Sequence, residues 1–245
     1  MTKRAIRFEI VLLLLLSLGA SAIYSSLDLA QTLLAPGGIG GSTTSINPQQ
    51  SQLEIFDFLY RVVGLLLALV PVALALFLLG GKWKSLGLWP VISSDWVRGA
   101  ILFLGIGIPG LLLYLAARSL GLASKIIPGE IQYWWLVPVL LLSALRAALQ
   151  EEVIMVGYLF ARFDEIGIRF RNQQLISAAI RASYHSYQGF AGIVGNFVMG
   201  LVFGWAYRRW GRVLPLVIAH FILDAISFVG YALLAKQLAN FGGLF

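Results

Sequence analysis

The chain has 245 residues and no cysteine, which excludes a disulfide framework, a thiolate nucleophile and any cysteine-ligated metal centre. Histidine is almost as scarce. Only His185 and His220 are present, and neither belongs to a His-Glu-x-x-His pattern, so a zinc site would have to recruit carboxylates. Charge is sparse as well: 12% of residues are Asp, Glu, Lys or Arg, where soluble domains carry about 25%. The net charge of +7 does not form a continuous basic face. The arginines and lysines sit at the ends of apolar runs, where they act as topology anchors, and no nucleic-acid partner is expected.

What is abundant is hydrocarbon: 59% of residues are hydrophobic, arranged in blocks rather than alternating, as membrane spans are. The basic opening Met1–Arg7 precedes an apolar run to about Leu29. Alone it could be read as a secretory signal peptide, but the later spans need orienting and favour an anchored first helix. Residues 30–53 form a polar, glycine-rich stretch with no periodicity, read as a mobile outer loop. Further apolar runs predict spans near 55–79, 98–117, 136–160, 173–187, 190–207 and 213–235. The expected fold class is therefore all-α: a polytopic transmembrane helical bundle of about seven spans, with room for an eighth.

Three regions are expected: an N-terminal transmembrane region 1–97 holding two spans and the outer loop 30–53, a membrane core 98–235, and a short tail 236–245. Positive charge on alternate turns (the N-terminus, Lys82 and Lys84, the 162–171 loop, Arg208–Arg212) places those turns and the N-terminus on the cytoplasmic side. The expected setting is the plasma membrane of a bacterium or archaeon, with the site reached from the cytoplasm.

Chemistry concentrates in a few residues. Glu151 and Glu152 are adjacent carboxylates inside an otherwise apolar run, a costly placement unless they pair or face a wet cavity. At 1.5 Å per residue, Glu151, Glu152, His185, His220 and Asp224 all fall in one layer, about 10–18 Å from the cytoplasmic face. His220 and Asp224 share a helix face, as do Arg181 and His185. Glu151 and Glu152 point about 100° apart on a regular helix, so one is expected to face the cavity and the other to make a structural pair with Arg181 or Arg146. A carboxylate that takes a proton from water, beside a histidine that hydrogen-bonds an attacked carbonyl, fits hydrolysis. Glu151, His185 and His220 could alternatively hold a divalent metal such as zinc; no cofactor is required by the pattern.

At these residues the sequence resembles the CPBP family of membrane proteins, also called the Abi family, which includes the CAAX proteases and bacteriocin-processing proteins. The family motifs are Glu-Glu-x-x-x-Arg, Phe-x-x-x-His and His-x-x-x-Asn/Asp. They correspond to Glu151–Val156, Arg181–His185 and His220–Asp224, and the resemblance covers roughly 100–235. It departs twice: Val156 stands where the family has arginine, and Arg181 where it has phenylalanine. Arg181 could supply the missing charge from the neighbouring helix.

The resemblance implies a glutamate-dependent intramembrane endopeptidase, conventionally called a metalloprotease, acting on membrane-associated or lipidated peptides and proteins. It implies Glu151 as the water-activating base and His185 as its support. His220 and Asp224 become the oxyanion and orienting pair, and Glu152 and Arg181 support the site. Membrane lipid is an expected partner, and the sequence specifies no oligomeric state. Two alternatives use the same residues: a CPBP-like immunity or scaffold protein without catalysis, and a proton- or ion-coupled transporter, although no inverted repeat is evident.

Overall fold

The computed structural model describes residues 2–238; most of the expected tail, residues 239–245, lies outside that range. Helix α1, Lys3–Leu15, starts where the Thr2 hydroxyl accepts a hydrogen bond from the Ala5 amide at 3.3 Å. It meets α2, Leu18–Leu34, at a bend of 57°. The bend needs Gly19, since a Cβ there would lie 2.7 Å from the Leu14 carbonyl oxygen. The Ser17 hydroxyl donates to the Leu13 carbonyl at 2.7 Å, satisfying one acceptor freed by the break.

The glycine-rich stretch 30–53 is more ordered than its composition predicts. α2 runs into it, a one-turn helix α3 follows at Gly38–Gly41, and strand β1, Thr43–Ile46, pairs in parallel with β2, Lys125–Pro128. A four-residue strand has no periodicity of its own. Its order comes from a partner about 80 residues away in sequence, including the Lys125 amide bond to the Ser42 carbonyl at 2.9 Å.

The remaining helices are α4 (Glu54–Leu79), α5 (Ser93–Ser119), α6 (Leu136–Glu151), α7 (Leu159–Ile166), α8 (Phe170–Tyr184), α9 (Phe190–Trp210), α10 (Leu214–Ala225) and α11 (Tyr231–Leu238). A π-helical segment, Glu152–Tyr158, joins α6 to α7, and another, Ile226–Gly230, joins α10 to α11.

The protein is a polytopic, all-α membrane protein, but the expected seven or eight spans are not there. Among the described residues, four helical stretches are long and apolar enough to cross a membrane: Glu54–Leu86, Ser93–Ser119, Phe190–Trp210 and Leu214–Ala235. The bent pair α1–α2 makes a fifth if it counts as one span. The overcount has a physical source. An apolar run can be covered by protein rather than lipid, and Val153 through Phe160 are all essentially fully buried. The run before them carries Arg146, Glu151 and Glu152, and α8 is only 15 residues long and polar in its first half.

α4 runs alongside α6 and α7. The Trp135 indole donates to Glu54 at 3.0 Å at one end, and Arg162 Nη2 donates to the Leu78 carbonyl at 2.6 Å at the other. Arg162 also bonds Glu9 at 2.7 Å and Glu165 at 2.9 Å, joining α1, α4 and α7 through one buried guanidinium. Burial raises the pKa of Glu165, but hydrogen bonds from Lys82 and Arg162 hold it below its ordinary value, so the carboxyl is ionised at neutral pH. Ile6, Ile10 and Leu13 of α1, with Val72 and Ala75 of α4, share one apolar cluster with Val153–Met155 and Tyr158 of the π segment.

α8 and α9 pack closely where a Cβ on Gly200 would sit 2.8 Å from the Ala178 Cα. Because that contact is backbone, Gly200→Ala is expected to force the helices apart and lower stability by about 1–3 kcal/mol. Thermal unfolding in detergent would measure it; an unchanged midpoint would show that α8 has room to shift.

Candidate active site

The expected site residues arise on four elements and meet in one cluster. Glu151 ends α6 and Glu152 opens the π segment, Arg181 lies on the last turn of α8 and His185 follows it, and His220 and Asp224 lie on α10. The wide turn at Glu152 is held from outside and has a local consequence. A π turn, with its i→i+5 bonds, is wider than an α turn and occurs mostly at functional sites. It rotates the chain less per residue than the about 100° of an α-helix, so two successive carboxylates can reach one partner. The Ser177 hydroxyl on α8 donates to the Met155 carbonyl inside the segment at 2.8 Å, pinning the widened turn to the neighbouring helix.

Arg181 is the partner shared by both carboxylates. Its Nη2 donates to Glu152 Oε1 at 2.7 Å and its Nη1 to Glu151 Oε2 at 3.3 Å, with no solvent exposure of the guanidinium. The cation also lies 5.6 Å from the centre of the Phe203 ring and 3.9 Å from Met199 Sδ. Phe203 and Met199 belong to the same apolar cluster as Val156. The position where the resemblance calls for arginine is thus buried hydrocarbon, and the positive charge beside the glutamates comes from α8.

The two glutamates differ. Glu152 has no exposure, and its Oε1 is also 2.7 Å from His220 Nδ1, while its Oε2 is buried without a partner. Glu151 is at the edge of the cluster, and the bonds to it converge on one oxygen. Oε2 accepts from the Tyr184 hydroxyl at 2.7 Å as well as from Arg181, and His185 Nε2 lies 3.7 Å away; none of the site's hydrogen bonds reaches Oε1. Both ring nitrogens of His185 are buried without a hydrogen-bond partner in the protein. His220 stands between two carboxylates, with Nε2 3.5 Å from Asp224 Oδ2. Tyr187 lies beside the ring of His185, with centroids 6.3 Å apart. Burial raises the Tyr187 phenol above its ordinary pKa, against the opposing hydrogen bond from Gln188.

Two contributors escape sequence reasoning. Tyr184, next to His185, is legible only as a motif neighbour, because its role depends on α8 meeting α6. The π segment has no sequence signal. A cavity of about 230 Å³ lined by Gln49, Asp57, Arg61, Glu130, Gln132 and Tyr133 lies at the start of α4 and α6, apart from these groups.

Residues 133–226 match the family model for Rce1-like, Type II CAAX prenyl endopeptidase Rce1-like proteins. The chain therefore carries a CAAX-protease-like domain over that stretch, which is less than half of its length and contains all six clustered residues. No curated protein and no solved structure matches the chain.

Within the Rce1-like stretch, Glu151, Glu152 and His220 bring one ligand atom each to within 4.8 Å of one another, the carboxylate-and-imidazole chemistry that binds divalent ions. The donor set fits such an ion, since Glu152 Oε2 is an acceptor without a partner. It differs from the expected set in having Glu152 where the sequence suggests His185. A bound ion would supply Lewis acidity toward a carbonyl oxygen; Arg181 already places one positive charge against both carboxylates.

Proposed function

We propose that this protein is an intramembrane endopeptidase that hydrolyses peptide bonds of membrane-associated or lipidated peptides and proteins with water activated by Glu151. The observation that supports it best is the asymmetry of Glu151. One carboxylate oxygen is held by Tyr184 and Arg181, and the other is left to accept a proton. Fixing one oxygen orients the second, which is the geometric need of a general base.

In this reading the water oxygen bonds to the scissile carbonyl carbon as its proton passes to Glu151. The developing oxyanion takes a hydrogen bond from the His220 Nε2–H, which faces Asp224 when no substrate is bound. Glu151 then returns the proton to the amine nitrogen as the C–N bond breaks. His185, whose nitrogens have no hydrogen-bond partner in the protein, holds the attacking water. Glu152 and Arg181 position the pair: Glu152 fixes His220 through Nδ1, and Arg181 balances the glutamate charges. Residues 98–235 serve as the catalytic membrane core, with the basic turns and the entrance to the site on the cytoplasmic side.

The test is cleavage of a membrane-peptide library by detergent-purified protein, read by mass spectrometry. His185→Ala is expected to lower the rate about 100-fold or more, the lower end of what acid–base groups contribute, without loss of insertion. Cleavage at the wild-type rate by the variant would remove His185 from the mechanism. No products at all from folded protein would favour a non-catalytic binding protein.

A further inference from the structure

We propose that the free edge of β1 binds an extended stretch of the substrate as a third strand, beside the loop that carries His185; the proposal rests on the protease reading. β1 and β2 form the one sheet among the described residues, and their register, Thr43↔Lys125 to Ile46↔Pro128, fixes where each backbone group points. The Lys125 amide donates to the Ser42 carbonyl at 2.9 Å and the Gly129 amide to the Ile46 carbonyl at 2.8 Å. Backbone groups alternate sides along a parallel ladder. Thr44 therefore also faces β2, while Thr43 and Ser45 face away from it.

The two outer edges of the sheet differ. On β2 the outward groups are closed. The Ile126 amide donates to the Tyr114 hydroxyl at 3.2 Å, the Ile126 carbonyl accepts from the Tyr231 hydroxyl at 3.0 Å, and Pro128 has no N–H. On β1 the outward N–H and C=O groups of Thr43 and Ser45 take no hydrogen bond, and both residues are exposed. An edge left open in this way is a template for another strand.

Its neighbours in the bundle point to which strand it fits. The Thr44 hydroxyl donates to the Tyr187 carbonyl at 3.3 Å, and the Ser124 hydroxyl, just before β2, donates to the same carbonyl at 3.4 Å. The Ser124 amide bonds the Gln188 carbonyl at 3.3 Å and the Phe190 amide the Leu122 carbonyl at 3.0 Å. The sheet is thus fastened to residues 187–190, directly after His185. In a helix the scissile carbonyl is already hydrogen-bonded, so attack needs an unwound chain. An unwound chain carries unpaired N–H and C=O groups, which are costly away from water. Thr43 and Ser45 offer two donors and two acceptors to such a chain lying about 4.8 Å from β1. A peptide that enters from the cytoplasmic side reaches this edge once it has passed His185.

The experiment is a scan of one cleavable peptide in which each backbone amide in turn is N-methylated, which removes its N–H. Wild type is expected to lose activity at every second residue on one side of the scissile bond. Each loss should be about 2- to 10-fold in kcat/KM, mostly through KM, as for one net hydrogen bond. Ser45→Pro removes an outward N–H and leaves the ladder to β2 in place, as an edge strand tolerates; it should raise KM and flatten the alternation. Ser45→Ala, which keeps the N–H, should retain the alternation. No alternation in wild type, or the same alternation in folded Ser45→Pro, would overturn the proposal and leave the protease reading intact. A wild-type dimer that Ser45→Pro dissociates would also overturn it, because a second copy would then hold the edge. Failure of folded wild type to cleave the unmodified peptide would overturn the protease reading, and this proposal with it.

Discussion

Glu151→Gln is expected to reduce hydrolysis by about 10²–10⁴-fold, the range that a positioned general base contributes, with KM little changed. Glutamine has nearly the same shape, and its carbonyl oxygen can still accept from the Tyr184 hydroxyl, which lies 2.7 Å from Glu151 Oε2. What it lacks is a basic oxygen. The fold should survive because Arg181 keeps its shorter bond, 2.7 Å to Glu152, and because Glu151 lies at the edge of the cluster. Single-turnover kinetics with the purified variant, beside a thermal unfolding scan, would separate chemistry from stability. A residual rate within about tenfold of wild type would fall short of that range and move the base to Asp224, the other carboxylate of the cluster with some exposure.

Removing Arg181 should have the largest effect on stability. Arg181→Phe leaves Glu152, which has no solvent exposure, and Glu151 without their cation, and breaking a buried pair in this way costs about 3–5 kcal/mol. Val156→Arg alone fails for the opposite reason: it places a second guanidinium at a site with 1% exposure, among Leu102, Phe160, Met199 and Phe203. The double variant exchanges the two positions. Because Val156 and Arg181 share Met199 and Phe203 as surroundings, the charge remains beside the glutamates and the phenylalanine takes up apolar space. It is expected to recover more stability and turnover than either single change. A double variant no better than the singles would show that the α8 guanidinium does not substitute for one at 156, and measuring all four proteins as a double-mutant cycle gives the coupling directly.

Both expectations depend on how the cluster is tied together, and the sequence reveals only part of that. The pairing of Arg181 with a glutamate is legible because unpaired charges are too costly in hydrocarbon. The double pairing is not legible, because on a regular helix Glu151 and Glu152 would diverge. The wider turn from Glu152 to Tyr158 is held by the Ser177 hydroxyl from another helix, and no local pattern announces it. The role of Tyr184 is hidden for the same reason.

By itself the sequence determined the features that local spacing and the cost of burying charge dictate. It sets a helical membrane protein, buried carboxylates that need partners, and His220 and Asp224 one turn apart on a single face. These rest on the fixed rise and rotation of a helix and on the penalty for placing charge in lipid. Only the tertiary structure decided how many helices can cross the membrane, since hydropathy does not distinguish burial in protein from burial in lipid, and Val153–Phe160 are buried in protein. It also decided which carboxylate is sequestered and which lies at the edge, and that Arg146 remains without an acid partner. Those outcomes depend on which faces of α6, α8 and α10 meet, and that is fixed by packing across the whole bundle.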